Sequence, residues 1–196
     1  MRFPRLILWL ILSAGAVHAA PALYDCPAGG FAFTAPAGWE VKTESGEPFP
    51  TLSGPVEDLN SPYVVIKAIH DKADIFDLGD ATIKEMLKDL RYSVNVRDAF
   101  ETADREFGMK VVFSVTETSR SGAVAATNAT PAPYRQAYYF VNGPPGTVYA
   151  VLATVAEPGW KKSEHLLDEM MKSYHLRPVV AGPAAPAASS APETKN

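Results

Sequence analysis

Four aspartates, Asp71, Asp74, Asp77 and Asp80, recur at every third position between an apolar run and a periodic one. Carboxylate oxygens gathered in a loop are the ligands that hard cations such as Ca²⁺ take, so Asp71, Asp74 and Asp77 form a candidate calcium site. The spacing is not the alternate-residue pattern of an EF-hand loop, and Lys72 lies among the acids. Asp77 or Asp80 is also placed to cap the helix that follows. The balance favours solvated acids at a helix start. A second group is aromatic: Tyr134, Tyr138, Tyr139, Phe140 and Tyr149 fall on one expected hairpin, with Trp160 close behind. Aromatic side chains ordinarily supply core. The functional alternative is a groove for an apolar peptide or helix, with Tyr138, Phe140, Tyr149 and Trp160 as its partner-binding residues.

Reactive constellations are missing from the sequence. There is no Gly-x-Ser-x-Gly elbow, no His-Glu-x-x-His zinc helix and no glycine-rich phosphate loop. Cys26 is the single cysteine, so no disulfide framework forms within the chain. It reads as a buried or tolerated thiol. His70, His165 and His175 read as surface or cap positions. No catalytic residue and no cofactor is therefore expected, and the chain is read as a non-enzyme; a site assembled from residues distant in sequence would escape such a reading.

The elements that hold these residues begin after an export leader. Arg2 and Arg5 precede an apolar run from Leu6 to Val17, and Val17 and Ala19 are small residues at the two positions a signal peptidase reads. Twelve helical residues rise about 18 Å, short of the ~30 Å hydrocarbon core. Residues 1–19 thus read as a cleaved signal peptide with no stable membrane anchor, and the protein as periplasmic or secreted. Leu23-Tyr24-Asp25, ahead of Cys26, are not the small residues that lipid attachment requires. Lys and Arg total 18 against 22 Asp and Glu, a formal charge of −4, and losing Arg2 and Arg5 adds two negative charges. With scattered basic residues and an acidic balance, nucleic acid is excluded as a partner.

At 196 residues, 47% hydrophobic and 20% charged, the chain suits one globular domain over residues 20–177. Residues 178–196, rich in Pro and Ala, read as a disordered tail. Strands are expected at 30–34, 40–43 and 63–69, with a short edge strand around 49–53, then at 93–102, 109–118, 134–141 and 147–155. The runs 63–69 and 147–155 are apolar on both alternate faces, which predicts cover on both sides. The Asn142-Gly143-Pro144-Pro145-Gly146 cluster predicts an antiparallel hairpin. Ile83, Met86, Leu87 and Leu90 make a helical stripe within 77–92; Leu166, Leu167, Met170, Met171 and Tyr174 make another within 161–174. Hairpins interrupted by two long helices imply the α+β class: an α/β/α sandwich, a mainly antiparallel sheet covered by helices on both faces.

Phe31-x-Phe33 leading to Pro36-Ala37-Gly38-Trp39, an apolar strand before an Asp-capped helix, hairpin strands, and a last helix ending Ser173-Tyr174-His175-Leu176 resemble the PsbP-like/DcrB-like superfamily. The resemblance spans almost the whole domain and rests on turn and packing features. It implies an antiparallel sheet between helices, no catalytic centre, and accessory, assembly or chaperone-like roles. Together these readings predict an exported, non-enzymatic accessory protein whose partner is another envelope protein. The alternatives are a small-ligand or divalent-ion (Ca²⁺) binding protein using the acidic loop 71–80, and a chaperone-like groove for an apolar peptide or helix.

Overall fold

A computed structural model describes residues 20–55, 61–70, 74–116 and 133–178. The expected signal peptide, Asp71 and nearly all of the Pro/Ala-rich tail lie outside the described residues. Ten strands and two α-helices follow in the order β1 (Ala22–Cys26), β2 (Phe31–Ala35), β3 (Glu40–Lys42), β4 (Thr51–Ser53), β5 (Tyr63–Ile69), α1 (Ile75–Met86), β6 (Tyr92–Glu101), β7 (Phe107–Val115), β8 (Tyr134–Asn142), β9 (Val148–Ala156), a 3₁₀ turn (Glu157–Gly159), α2 (Trp160–Lys172) and β10 (His175–Leu176). Seven strands form one sheet in the order β3-β4-β5-β9-β8-β7-β6, and β1-β2-β10 form a smaller one. Every pairing is antiparallel. The class is α+β, as the sequence predicts.

Two apolar clusters hold the elements together. In one, Ile75 of α1 packs with Met109, Val111, Phe113 and Val115 of β7 and Phe140 of β8, and Ile83 and Met86 lie against them. In the other, Leu167, Met170 and Met171 of α2 and Phe31 and Phe33 of β2 pack with Val64, Val112, Tyr139 and Val151 of the large sheet. Val111 and Val112 are consecutive, and consecutive strand residues point to opposite faces. Gly79 brings α1 close to β7: a Cβ there would stand 2.2 Å from Met109 Sδ.

The β8–β9 hairpin forms in the expected place, Asn142 opposite Val148, and β9 is central. Several expectations are corrected. The strand at Thr51–Ser53 is not an edge, because β3 pairs outside it. β5 is not covered on both sides: Val64 and Ile66 are buried, but Tyr63 is 46% exposed and Lys67 is exposed too. The reason is that α1 lies over β7 and β8 and leaves the β5 end of that face open.

Helix α1 starts and stops earlier than the stripe suggests. Asp74, not Asp77 or Asp80, is its N-cap. The helix ends at Met86, and Asp89 Oδ1 then accepts the Arg91 N–H in a turn into β6. Leu87 and Leu90 consequently point outward, Leu90 at 99% exposure. Two strands went unforeseen, β1 and β10. The His175-Leu176 segment does not merely end α2 but pairs with Ala32 and Phe31 of β2.

Candidate functional site

The acidic loop is taken apart by its neighbours. Asp74 Oδ1 accepts the Phe76 N–H at 2.8 Å, satisfying one of the donors that a helix start leaves free. Asp77 is exposed in the first turn of α1, where its charge favours the helix dipole. Asp80 receives Arg97 Nε at 2.7 Å and Nη2 at 3.0 Å from β6, and these hydrogen bonds hold its carboxyl below the usual range. Among the described residues no three His, Cys, Asp or Glu side chains gather as a metal would need.

The four aromatics proposed as a groove do not share a surface. Tyr138 and Phe140 belong with the α1 cluster, Tyr138 standing edge-on to Phe113 at 5.8 Å. Tyr149 and Trp160 belong with the α2 cluster. Phe140, Tyr149 and Trp160 are all buried, and the Tyr149 hydroxyl donates to the Gly29 carbonyl. The alternation of β8 that makes a good strand is what separates Tyr138 and Phe140 from the other two. The three histidines are likewise apart. His165 is exposed on α2, His70 Nδ1 meets Thr147 Oγ1 at 3.3 Å, and His175 Nδ1 meets the Ser173 carbonyl at 3.1 Å. Cys26 is buried beside the Pro48 carbonyl, and burial raises its thiol pKa.

A charged cluster that the sequence did not suggest lies where β7 and β8 meet α2. Lys110 of β7 is 8% exposed. Its Nζ donates to Glu164 Oε1 at 2.8 Å and lies 2.8 Å and 3.0 Å from the two carboxylate oxygens of Asp168. The Tyr139 hydroxyl donates to Asp168 Oδ1 at 2.8 Å, and the ammonium stands 5.7 Å from the Tyr139 ring centroid, within cation–π range. Burial first, then the Asp168 charge, drives the Tyr139 phenol far above its ordinary pKa. Two carboxylates and an aromatic face occupy the ammonium, so the cluster clamps α2 to the sheet and offers no free nucleophile or base.

A cleft beside α2 is lined mainly by apolar side chains. It lies at the start of the helix, holds about 160 Å³ and is lined by Trp39, Pro62, Val155, Pro158, Lys162 and Leu166, among others. Trp39 reaches it through the Pro36-Ala37-Gly38 turn: Gly38 has φ 77°, a conformation open to glycine, and the Trp39 N–H donates to the Pro36 carbonyl at 3.1 Å. The indole is 9% exposed. Pro158 opens the 3₁₀ turn that leads into α2, and Glu157 of that turn is gripped by Arg135 of β8, whose Nη2 donates to Oε1 at 2.6 Å. Such a pocket recognises shape and apolar surface. The turn before Trp39 was visible in the sequence; the prolines that join it were not, because they arrive from loops on either side of β5 and β9.

The mainly antiparallel α+β fold is PsbP-like, as its likeness to two solved structures shows. Cyanobacterial PsbP (CyanoP) from Synechocystis sp. PCC 6803, a solution structure, superposes with a TM-score of 0.52 at 16% identity, covering 85% of this chain and 98% of that one. LpqN, described as involved in cell envelope biogenesis of Mycobacterium tuberculosis, superposes with a TM-score of 0.52 at 12% identity, covering 76% and 83%. No family model and no curated protein matches the sequence.

Proposed function

We propose that the chain is an exported, non-enzymatic accessory protein, an α/β/α sandwich that binds another envelope protein through the Trp39 cleft. The observation that carries the reading is the cleft: one indole, Leu166, Val155 and prolines enclose a space that suits an apolar segment of a partner. The division of the two helices between separate clusters supports the layered architecture. The leader-like residues 1–19 and the likeness to LpqN support an envelope setting. No helix among the described residues is long and apolar enough to cross a membrane.

Two experiments test the proposal. N-terminal sequencing of the exported protein is expected to read Ala20 first; full-length chain retained in the membrane would overturn the location. A photo-crosslinker at Lys162, which is exposed and lines the cleft, used in the native envelope, is expected to give one adduct that Leu166→Glu, at a partly exposed position, removes. Partner capture that ignores Leu166→Glu and Lys162→Glu would dismiss the cleft.

A further inference from the structure

The outer edge of the large sheet is a second surface, independent of the cleft. β6 is ten residues long and pairs with β7 alone among the described strands. A register shift between Val94 and Val96 interrupts its first half, and from Val96 to Glu101 the ladder is regular. The Ala99 N–H faces away from β7, for it donates to its own neighbour, Asp98 Oδ1, at 2.8 Å. The two-residue period then turns the main-chain groups of Arg97 and Glu101 outward as well.

This edge carries a strong charge bias. Asp98 and Glu101 are exposed on the strand; in the turn after it Asp104 accepts the Leu176 N–H at 2.7 Å, Glu106 accepts from Asn142 Nδ2 at 3.4 Å, and Arg105 is the cation. On the α2 side Lys110 sits opposite Asp98 in the ladder but is committed to Glu164 and Asp168. Arg97 is committed to Asp80. An identical copy added antiparallel about a two-fold axis at Ala99 would set Asp98 opposite Phe100 and would offer Glu101 only Arg97, a cation already held by Asp80. An extended segment bearing Lys or Arg would meet Asp98 on one face of the sheet or Glu101 on the other, and donors and acceptors along the strand. We propose that β6, over Val96–Glu101, accepts a basic extended segment of a partner protein as an eighth strand by β-strand addition.

The test uses the full chain and three synthetic peptides: alternating Lys-Val, alternating Glu-Val, and Lys-Val N-methylated at every second amide. Anisotropy titrations report binding, and amide hydrogen exchange locates it. The Lys-Val peptide is expected to bind, to slow exchange at Arg97, Ala99 and Glu101, and to weaken as salt rises. The Glu-Val peptide is expected not to bind. The double variant Asp98→Asn, Glu101→Gln, which keeps an acceptor for the Ala99 N–H, is expected to keep its melting temperature and to weaken Lys-Val binding by on the order of tenfold. Equal binding of the N-methylated peptide would replace strand addition by charge attraction alone and overturn the proposal. So would unchanged exchange along β6, or a dimer of the protein protected at that edge. Leu166→Glu, at a partly exposed position of the cleft, is expected to leave the peptide result intact, which separates this surface from the cleft.

Discussion

Lys110 is the residue whose surroundings say most about how the molecule is held. Its carboxylate partners on α2 keep some contact with water, at 28% and 32% side-chain exposure, while Lys110 itself has 10%. Removing the ammonium leaves two acids facing each other across a half-dry gap. Lys110→Met should therefore destabilise the fold by about 1–3 kcal/mol, below the range for a fully buried pair, as measured by urea unfolding. An unchanged midpoint would show that the clamp contributes nothing net. Trp39 makes the contrasting case, since its contribution is area and shape: Trp39→Ala should cost about 3–5 kcal/mol. A near-zero cost with loss of the partner would make the indole a binding anchor alone. The sequence exposed Trp39 through the Pro-Ala-Gly turn that presents it. It hid Lys110, because a lysine in an alternating strand reads as solvent-facing and its partner Glu164 is 54 positions away.

At the scale of elements, what was legible followed from local chemistry. The β8–β9 turn cluster set a hairpin that the sheet kept, and the apolar stripe of α2 set its buried face. Both ends of α1 were misplaced for a physical reason: a stripe of leucines carries no information about where a carboxylate closes the first turn. Asp74→Ala should cost about 0.5–2 kcal/mol, and Asp77→Ala should cost less. Millimolar Ca²⁺ should move the melting temperature no further than matched ionic strength does; a calcium-specific shift would restore the loop as a metal site. The Arg135–Glu157 pair fastens the turn before α2 to β8 and predicts a pH dependence. The hydrogen bond from Arg135 lowers the Glu157 pKa in the folded state. Its contribution is therefore complete above the unfolded value, about 4.3, and is lost as pH falls through the lower folded value. Melting curves of Arg135→Gln and the parent should differ most above about pH 5 and converge in acid; a gap that widened in acid would reverse the sign.

For the whole molecule, the small sheet matters more than its size suggests. β2 is flanked by β1 from the start of the described chain and by β10 from its end, with His175 opposite Ala32 and the Arg177 N–H bonded to the Gly30 carbonyl at 2.8 Å. The Tyr174 hydroxyl adds a bond to the Asn142 carbonyl at 2.9 Å. A chain ending at Pro178 retains these contacts and should melt at the parent temperature, whereas one ending at Ser173 should melt well below it; equal melting of the two would show that the last strand is decoration. Neither flanking strand was legible, since β10 spans two residues and owes its conformation to β2. The order of synthesis gives this arrangement a kinetic meaning. β2 can pair with β1 as soon as both are synthesised, but it meets β10 only when the far end of the domain has been made, so the aromatic layer over α2 is completed last.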